Sequence, residues 1–151
     1  MDKDLIPFQV EIKALGFFVN RTYTLMVKLL NQELRKGNVD IQHAEFSLLK
    51  ILNEIKGGSQ TQIAVLLGKE RAAISRTLIS LEQKGYIDRH PLDGKSNYVS
   101  LTEKGYKIMP ELNSIAERVT ELGFQGFSQK RRESLIKNLT QVYQNAYESI
   151  D

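Results

Sequence analysis

Along most of the chain, apolar residues recur every three or four positions, the spacing of one face of an α-helix. The first such stretch covers residues 8–36, with Phe17, Phe18, Leu25, Leu29 and Leu30 among its apolar positions, and Gly37–Asn38 ends it as a C-terminal glycine should. Residues 41–56 repeat the pattern through Leu48, Leu49, Ile51, Leu52 and Ile55, and Gly57–Gly58 breaks it. Ser59-Gln60-Thr61-Gln62 reads as a capping box, in which Ser59 accepts from the backbone of Gln62 and the Gln62 side chain returns the bond. That box opens a short helix to Leu67, closed at Gly68. A second helix follows from about Glu70 to Lys84, with Ile74, Leu78 and Leu81 inward, and Gly85 stops it. Thr102 is the expected N-cap of a helix to about residue 123, whose apolar positions Ile108, Leu112, Ile115, Val119 and Leu122 alternate by four and three, the spacing of a helix–helix seam. A last helix, residues 128–149, carries Leu135, Leu139, Val142 and Ala146 at similar spacing.

One stretch breaks this rhythm. In GYIDRHPLDGKSNYVSLTEKG, residues 85–105, Tyr86–Ile87 and Tyr98–Val99 are short strand-like pairs, and His90–Pro91–Leu92–Asp93–Gly94 is turn material between them. Two helices joined by a tight turn, the second followed by a two-stranded ribbon, make the winged form of the helix-turn-helix. Such a crossing needs a small residue between the helices and one tolerant of positive φ at the turn; Ala64 and Gly68 supply them, and Ile74 plugs the core. The fold class expected is mainly α with a small β-hairpin wing.

Composition narrows the function. The chain has 151 residues, 41% apolar and 26% charged, which suits one soluble domain with a real core. No apolar run approaches the ~20 residues of a membrane span, and the N-terminus lacks a signal-peptide pattern, so no membrane partner and a cytoplasmic location are expected. Without cysteine there is no disulfide, thiolate metal site or thiol redox sensor. The net charge of +3 is unevenly placed: residues 69–107 hold eight Lys/Arg against five Asp/Glu, whereas residues 1–68 sum to +1 and 108–151 to −1. The positive excess therefore sits with the helix-turn-helix and hairpin, where a nucleic-acid site would lie.

A helix beginning at Glu70 can enter a major groove. Its outward positions Arg71, Ala72, Ser75 and Arg76 suit base edges: arginine pairs bidentately with guanine, serine bonds base or phosphate, and the alanine methyl sits against thymine. Lys95, at the hairpin tip, reaches the neighbouring backbone or minor groove. Ser59 is best explained by capping, with a phosphate contact as its second use, and Glu70 by the helix dipole. Phe17, Phe18, Tyr23 and Phe46 read as core. His43 and His90 stand far apart with no carboxylates at ligand spacing, so no metal and no cofactor are expected. HExxH, GxSxG, a P-loop and the dinucleotide fingerprint are all absent, and the sequence does not read as an enzyme.

The runs HAEFSLLKIL, TQIAVLLGKERAAISRTLISLEQKGYIDR and DGKSNYVSLTEKG, in that order across roughly residues 30–107, closely resemble the multiple antibiotic resistance regulator (MarR) family. LEQKGYIDR, the wing run and their separation are the most diagnostic parts. The resemblance implies a homodimeric transcription factor, with residues 38–107 as the DNA-binding region and residues 1–37 and 108–151 as dimerisation helices of one domain. It implies a repressor binding double-stranded DNA at a pseudo-palindromic operator and relieved by a small aromatic or anionic effector. The candidate contacts are Ser59, Thr61, Lys69, Arg71, Ala72, Ser75, Arg76, Asp93 and Lys95.

Three positions depart from the family's pattern. The family's wing usually carries Asp-x-Arg, and this chain matches with Asp93 but has Lys95, which cannot present arginine's planar fork. Gln42 replaces the usual threonine before the second helix, making Asp40 the expected cap, and Pro110 inside the fifth helix should kink it or remove one backbone bond. The apolar seam from Ile108 to Leu122, with Leu135, Leu139 and Val142, exceeds what one small wing domain covers, and Leu5, Ile6 and Phe8 are expected to interleave with it. The rival reading is a helical interaction protein on the same fold with weak or lost DNA binding.

Overall fold

Leu48, Leu49 and Leu52 fall on one face of a helix by their spacing and are fully buried. Burial of each contributes roughly 2–3 kcal/mol, so this face anchors the molecule. They belong to α2 (His43–Ile55), at the centre of a computed structural model that describes residues 15–91 and 97–150. Leu5, Ile6, Phe8, Asp93, Gly94 and Lys95 lie outside the described residues.

Ahead of α2 runs α1 (Leu15–Lys36); behind it come β1 (Gly58–Ser59), α3 (Gln60–Leu67), α4 (Arg71–Gln83), β2 (Ile87–Pro91), β3 (Asn97–Leu101), α5 (Glu103–Gly123) and α6 (Gln129–Glu148). The three strands form an antiparallel sheet in the order β1-β3-β2, with Gly58 opposite Val99 and Ile87 opposite Leu101. The ribbon expected as two-stranded thus has a third strand. His90 and Pro91, expected in the turn, extend β2 instead. An edge strand tolerates proline because its outer N–H has no ladder partner to lose.

One core joins Leu30 and Leu34 of α1, the leucines of α2, Ile63, Ile74, Leu78 and Leu81, the strand residues Ile87 and Val99, and Leu112, Ile115 and Val119 of α5. This corrects the reading of the α5 seam. Leu112, Ile115 and Val119 are covered by the chain's own α1, and only Leu122 of that row stays largely open. Val65 and Leu66 of α3 and Ile79 of α4 are exposed as well. Many of the other uncovered apolar positions are on α6, where Leu135, Leu139 and Val142 are each about two-fifths exposed, and on the first half of α1. Phe17, Phe18 and Tyr23 are exposed there rather than core, because the first turns of α1 extend beyond the helices that bury its second half. Phe46 does pack against the core.

The expected caps at Ser59 and Thr102 form, Ser59 without the return bond from the Gln62 side chain, and Ser128 caps α6. Ser59 Oγ accepts from Gln62 N at 3.2 Å, Thr102 Oγ1 from Gly105 N at 3.0 Å and Ser128 Oγ from Arg131 N at 3.4 Å. Gln42, not Asp40, is the N-cap of α2, and its backbone N donates to Glu45 Oε2 at 2.8 Å. Pro110 lies inside α5, which continues through it.

Candidate nucleic-acid interface

Gly68, at φ +58°, turns the chain between α3 and α4, a backbone shape that favours glycine. Ala64 and Ile74 are buried where the two helices cross. Gln60 Nε2 donates to the carbonyl of Arg71 at 3.2 Å, tying the start of α3 to the start of α4. That bond brings Ser59 and Thr61 to the same end of the motif as Arg71. Thr61, Lys69, Arg71, Ala72 and Arg76 are exposed, and Ser75 is half-buried. Glu70 is the N-cap residue of α4, although its carboxylate makes no capping bond.

The wing is fastened to α4. Arg89 on β2 donates through Nε to Glu82 Oε2 at 2.9 Å, with a second contact from its Nη2. The hydrogen bond from Arg89 holds the Glu82 carboxyl below the usual range, and the carboxylate in turn holds Arg89 up. At the far end of α4, Thr102 Oγ1 donates to the Gly85 carbonyl at 2.8 Å, and Lys104 Nζ donates to the Lys84 carbonyl at 2.5 Å. These bonds tie β2 and the residues that follow β3 to the second half of α4 and the turn after it.

Beneath the motif lies a cavity of about 370 Å³ lined by Tyr23 of α1, His43 and Ser47 of α2, Lys69 of the turn, and Ile74 and Thr77 of α4, with others. Tyr23 meets the His43 ring edge-on, with centroids 5.7 Å apart. Burial, and then the charge of Lys69, push the His43 imidazole below the usual histidine range. The sequence carries no local signal for this cavity, because its walls come from four separate segments. Among the described residues no cluster of His, Cys, Asp and Glu could hold a metal ion, and no helix is long and apolar enough to cross a membrane.

The MarR family model matches residues 41–95, from the start of α2 into the wing. Over that segment the chain is similar to the MarR family. The uncharacterized HTH-type transcriptional regulator YybA of Bacillus subtilis (strain 168) is 27% identical over 110 residues, 72% of this chain and 73% of that protein. A MarR transcriptional regulator from Methanosarcina mazei Go1 is 23% identical and superposes with a TM-score of 0.81, covering 99% of this chain and 94% of that one. A mutant MarR from E. coli complexed with operator DNA is 22% identical, with a TM-score of 0.77 over 94% and 99% of the two chains. At these identities the solved structures establish the shared fold: the winged helix-turn-helix of MarR proteins flanked by long helices.

Proposed function

We propose that this protein is a homodimeric repressor that places α4 of each subunit in the major groove of a pseudo-palindromic operator. The observation that carries the reading is the exposed first half of α4, where Arg71, Ala72 and Arg76 stand clear of the core beside a wing clamped to the same helix. The MarR fold adds support, since a relative with that fold is complexed with operator DNA. Thr61 and Ser59, at the start of α3, and Lys69 in the turn would contact phosphate, and Asp93 and Lys95 would add contacts of their own.

The dimer would cover the apolar positions of α6 together with Leu15, Phe17 and Phe18 of α1, all exposed in the single chain. Light scattering at micromolar concentration should give twice the chain mass; a monomer mass would refute this part.

The cavity below the motif suits a small aromatic anion, with Tyr23 and His43 offering ring edges and Lys69 a charge. Lys69 would then be drawn between the effector and a DNA phosphate, which gives the effector a way to weaken binding. A gel shift with DNA from the gene's own neighbourhood, repeated across salt concentrations, tests the main reading. A retarded band that persists against competitor DNA supports it, and binding that competitor removes equally would favour an interaction protein on the same fold.

A further inference from the structure

Glu45, on the first turn of α2, is a buried carboxylate in a molecule whose acidic residues otherwise mostly face water. Its partners explain how it can be there. Ser80 donates its hydroxyl to Glu45 Oε1 at 2.6 Å, Lys84 Nζ donates to Oε2 at 3.0 Å, and the backbone N of Gln42 donates to Oε2 at 2.8 Å. Lys84 also reaches the Asp40 carbonyl at 2.9 Å. Burial opposes the charge on Lys84, yet the hydrogen bonds and charges of Glu45 and Asp40 outweigh it and hold the ammonium above the usual lysine range. Next to this knot, Asn31 Oδ1 of α1 accepts from His43 N at 2.8 Å. The start of α2 is thus pinned on one side to α1 and on the other to α4.

Resting on the DNA-binding reading above, we infer that Glu45 is a positioning residue that sets the rotation of α4 about its own axis, and thereby aims Arg76 at the base edges. Arg76, Ser80 and Lys84 are spaced by four, so they lie along one face. Arg76, Ser80, Lys84 and Glu45 also line one groove. Glu45 grips two of the three at successive turns, which fixes the angle at which the third leaves the helix. A rotation of about 10° would move a guanidinium ~8 Å from the axis by ~1.4 Å, enough to lose a bidentate pair. Ile74, Leu78 and Leu81 seat the helix on the core, and the bonds from Ser80 and Lys84 add directional restraints to that packing.

The test uses the full chain and the duplex that the unaltered protein enriches most from a random-sequence pool, with a shuffled duplex as reference. Glu45→Gln removes the charge facing Lys84, and Ser80→Ala removes one grip while leaving the Glu45–Lys84 pair. Each should lower the ratio of selected to shuffled affinity at least tenfold, with shuffled affinity and salt slope unchanged. A residue that only stabilised the fold would lower the melting temperature and leave that ratio alone. If Glu45→Gln does not fold, Ser80→Ala carries the test. Folded variants that keep the unaltered ratio would overturn this inference alone; an unaltered protein that enriches no duplex would overturn the DNA-binding reading and this inference with it.

Discussion

Gly105 offers a sharp test of how the wing is seated on the rest of the molecule. It is buried in the first turn of α5, and a methyl group there would press into the carbonyl oxygen of Tyr86, well inside contact distance, and lie 3.2 Å from Leu101 Cβ. That carbonyl is backbone at the root of the wing and accepts from Thr102 N at 3.1 Å, so it cannot swing aside without losing the bond. Overpacking of this kind costs about 1–3 kcal/mol, and the bond at risk is worth about 1 kcal/mol. Alanine's better helix propensity returns up to ~1 kcal/mol. Gly105→Ala should therefore destabilise the protein by about 1–3 kcal/mol, a large share of a typical stability of roughly 5–15 kcal/mol. Urea unfolding followed by circular dichroism reads this directly. Gly16→Ala, at a helical site with nothing within 4 Å, is the control and should be neutral or slightly stabilising. Equal stability of Gly105→Ala and the parent would refute the claim that α5 is wedged against the wing root.

Arg76→Ala should cost about 1–3 kcal/mol on the preferred duplex and relax preference at one base pair, read by titration against single-base variants. Lys95→Ala should weaken all sequences alike and lower the salt slope by about one ion, whereas Lys95→Arg should tighten binding selectively at narrow A·T-rich flanks if the wing enters the minor groove. The folded state favours neutral His43, so the unfolded chain takes up that proton first as pH falls through its ordinary value of about 6.5. Stability should accordingly decline below that pH, and His43→Gln should remove this component; denaturation midpoints at neutral and mildly acidic pH, identical in their difference for both proteins, would contradict it.

Much of this architecture is legible locally. The caps at Ser59 and Thr102 and the stops at Gly68 and Gly85 each act within a few residues, so periodicity and turn chemistry suffice to find them. The misses share a non-local cause. Gly58–Ser59 becomes a strand only because Tyr98–Val99 arrives beside it, and two residues carry no alternation of their own. Gln42 caps α2 through Glu45, a pairing hidden behind the more familiar capping residue Asp40, which instead sits 3.5 Å from Lys84. Phe17, Phe18 and Tyr23 have core-like side chains, but nothing in their own spacing tells whether the covering surface lies in the same chain. The exposure of Arg71 and Arg76 is readable from residue type and helix phase, while the grip of Glu45 on Ser80 and Lys84, 35 and 39 residues away, is not.

Whether two copies of α4 read DNA together is decided by the spacing of half-sites. Symmetric recognition helices engage half-sites about one helical turn apart, ~10 bp centre to centre. Inserting half a turn between the half-sites of the selected duplex rotates one to the opposite face of the DNA. Tight binding should then collapse to the affinity of a single half-site, and inserting a full turn should restore part of it. Undiminished affinity for the half-turn duplex would contradict paired reading by the two helices.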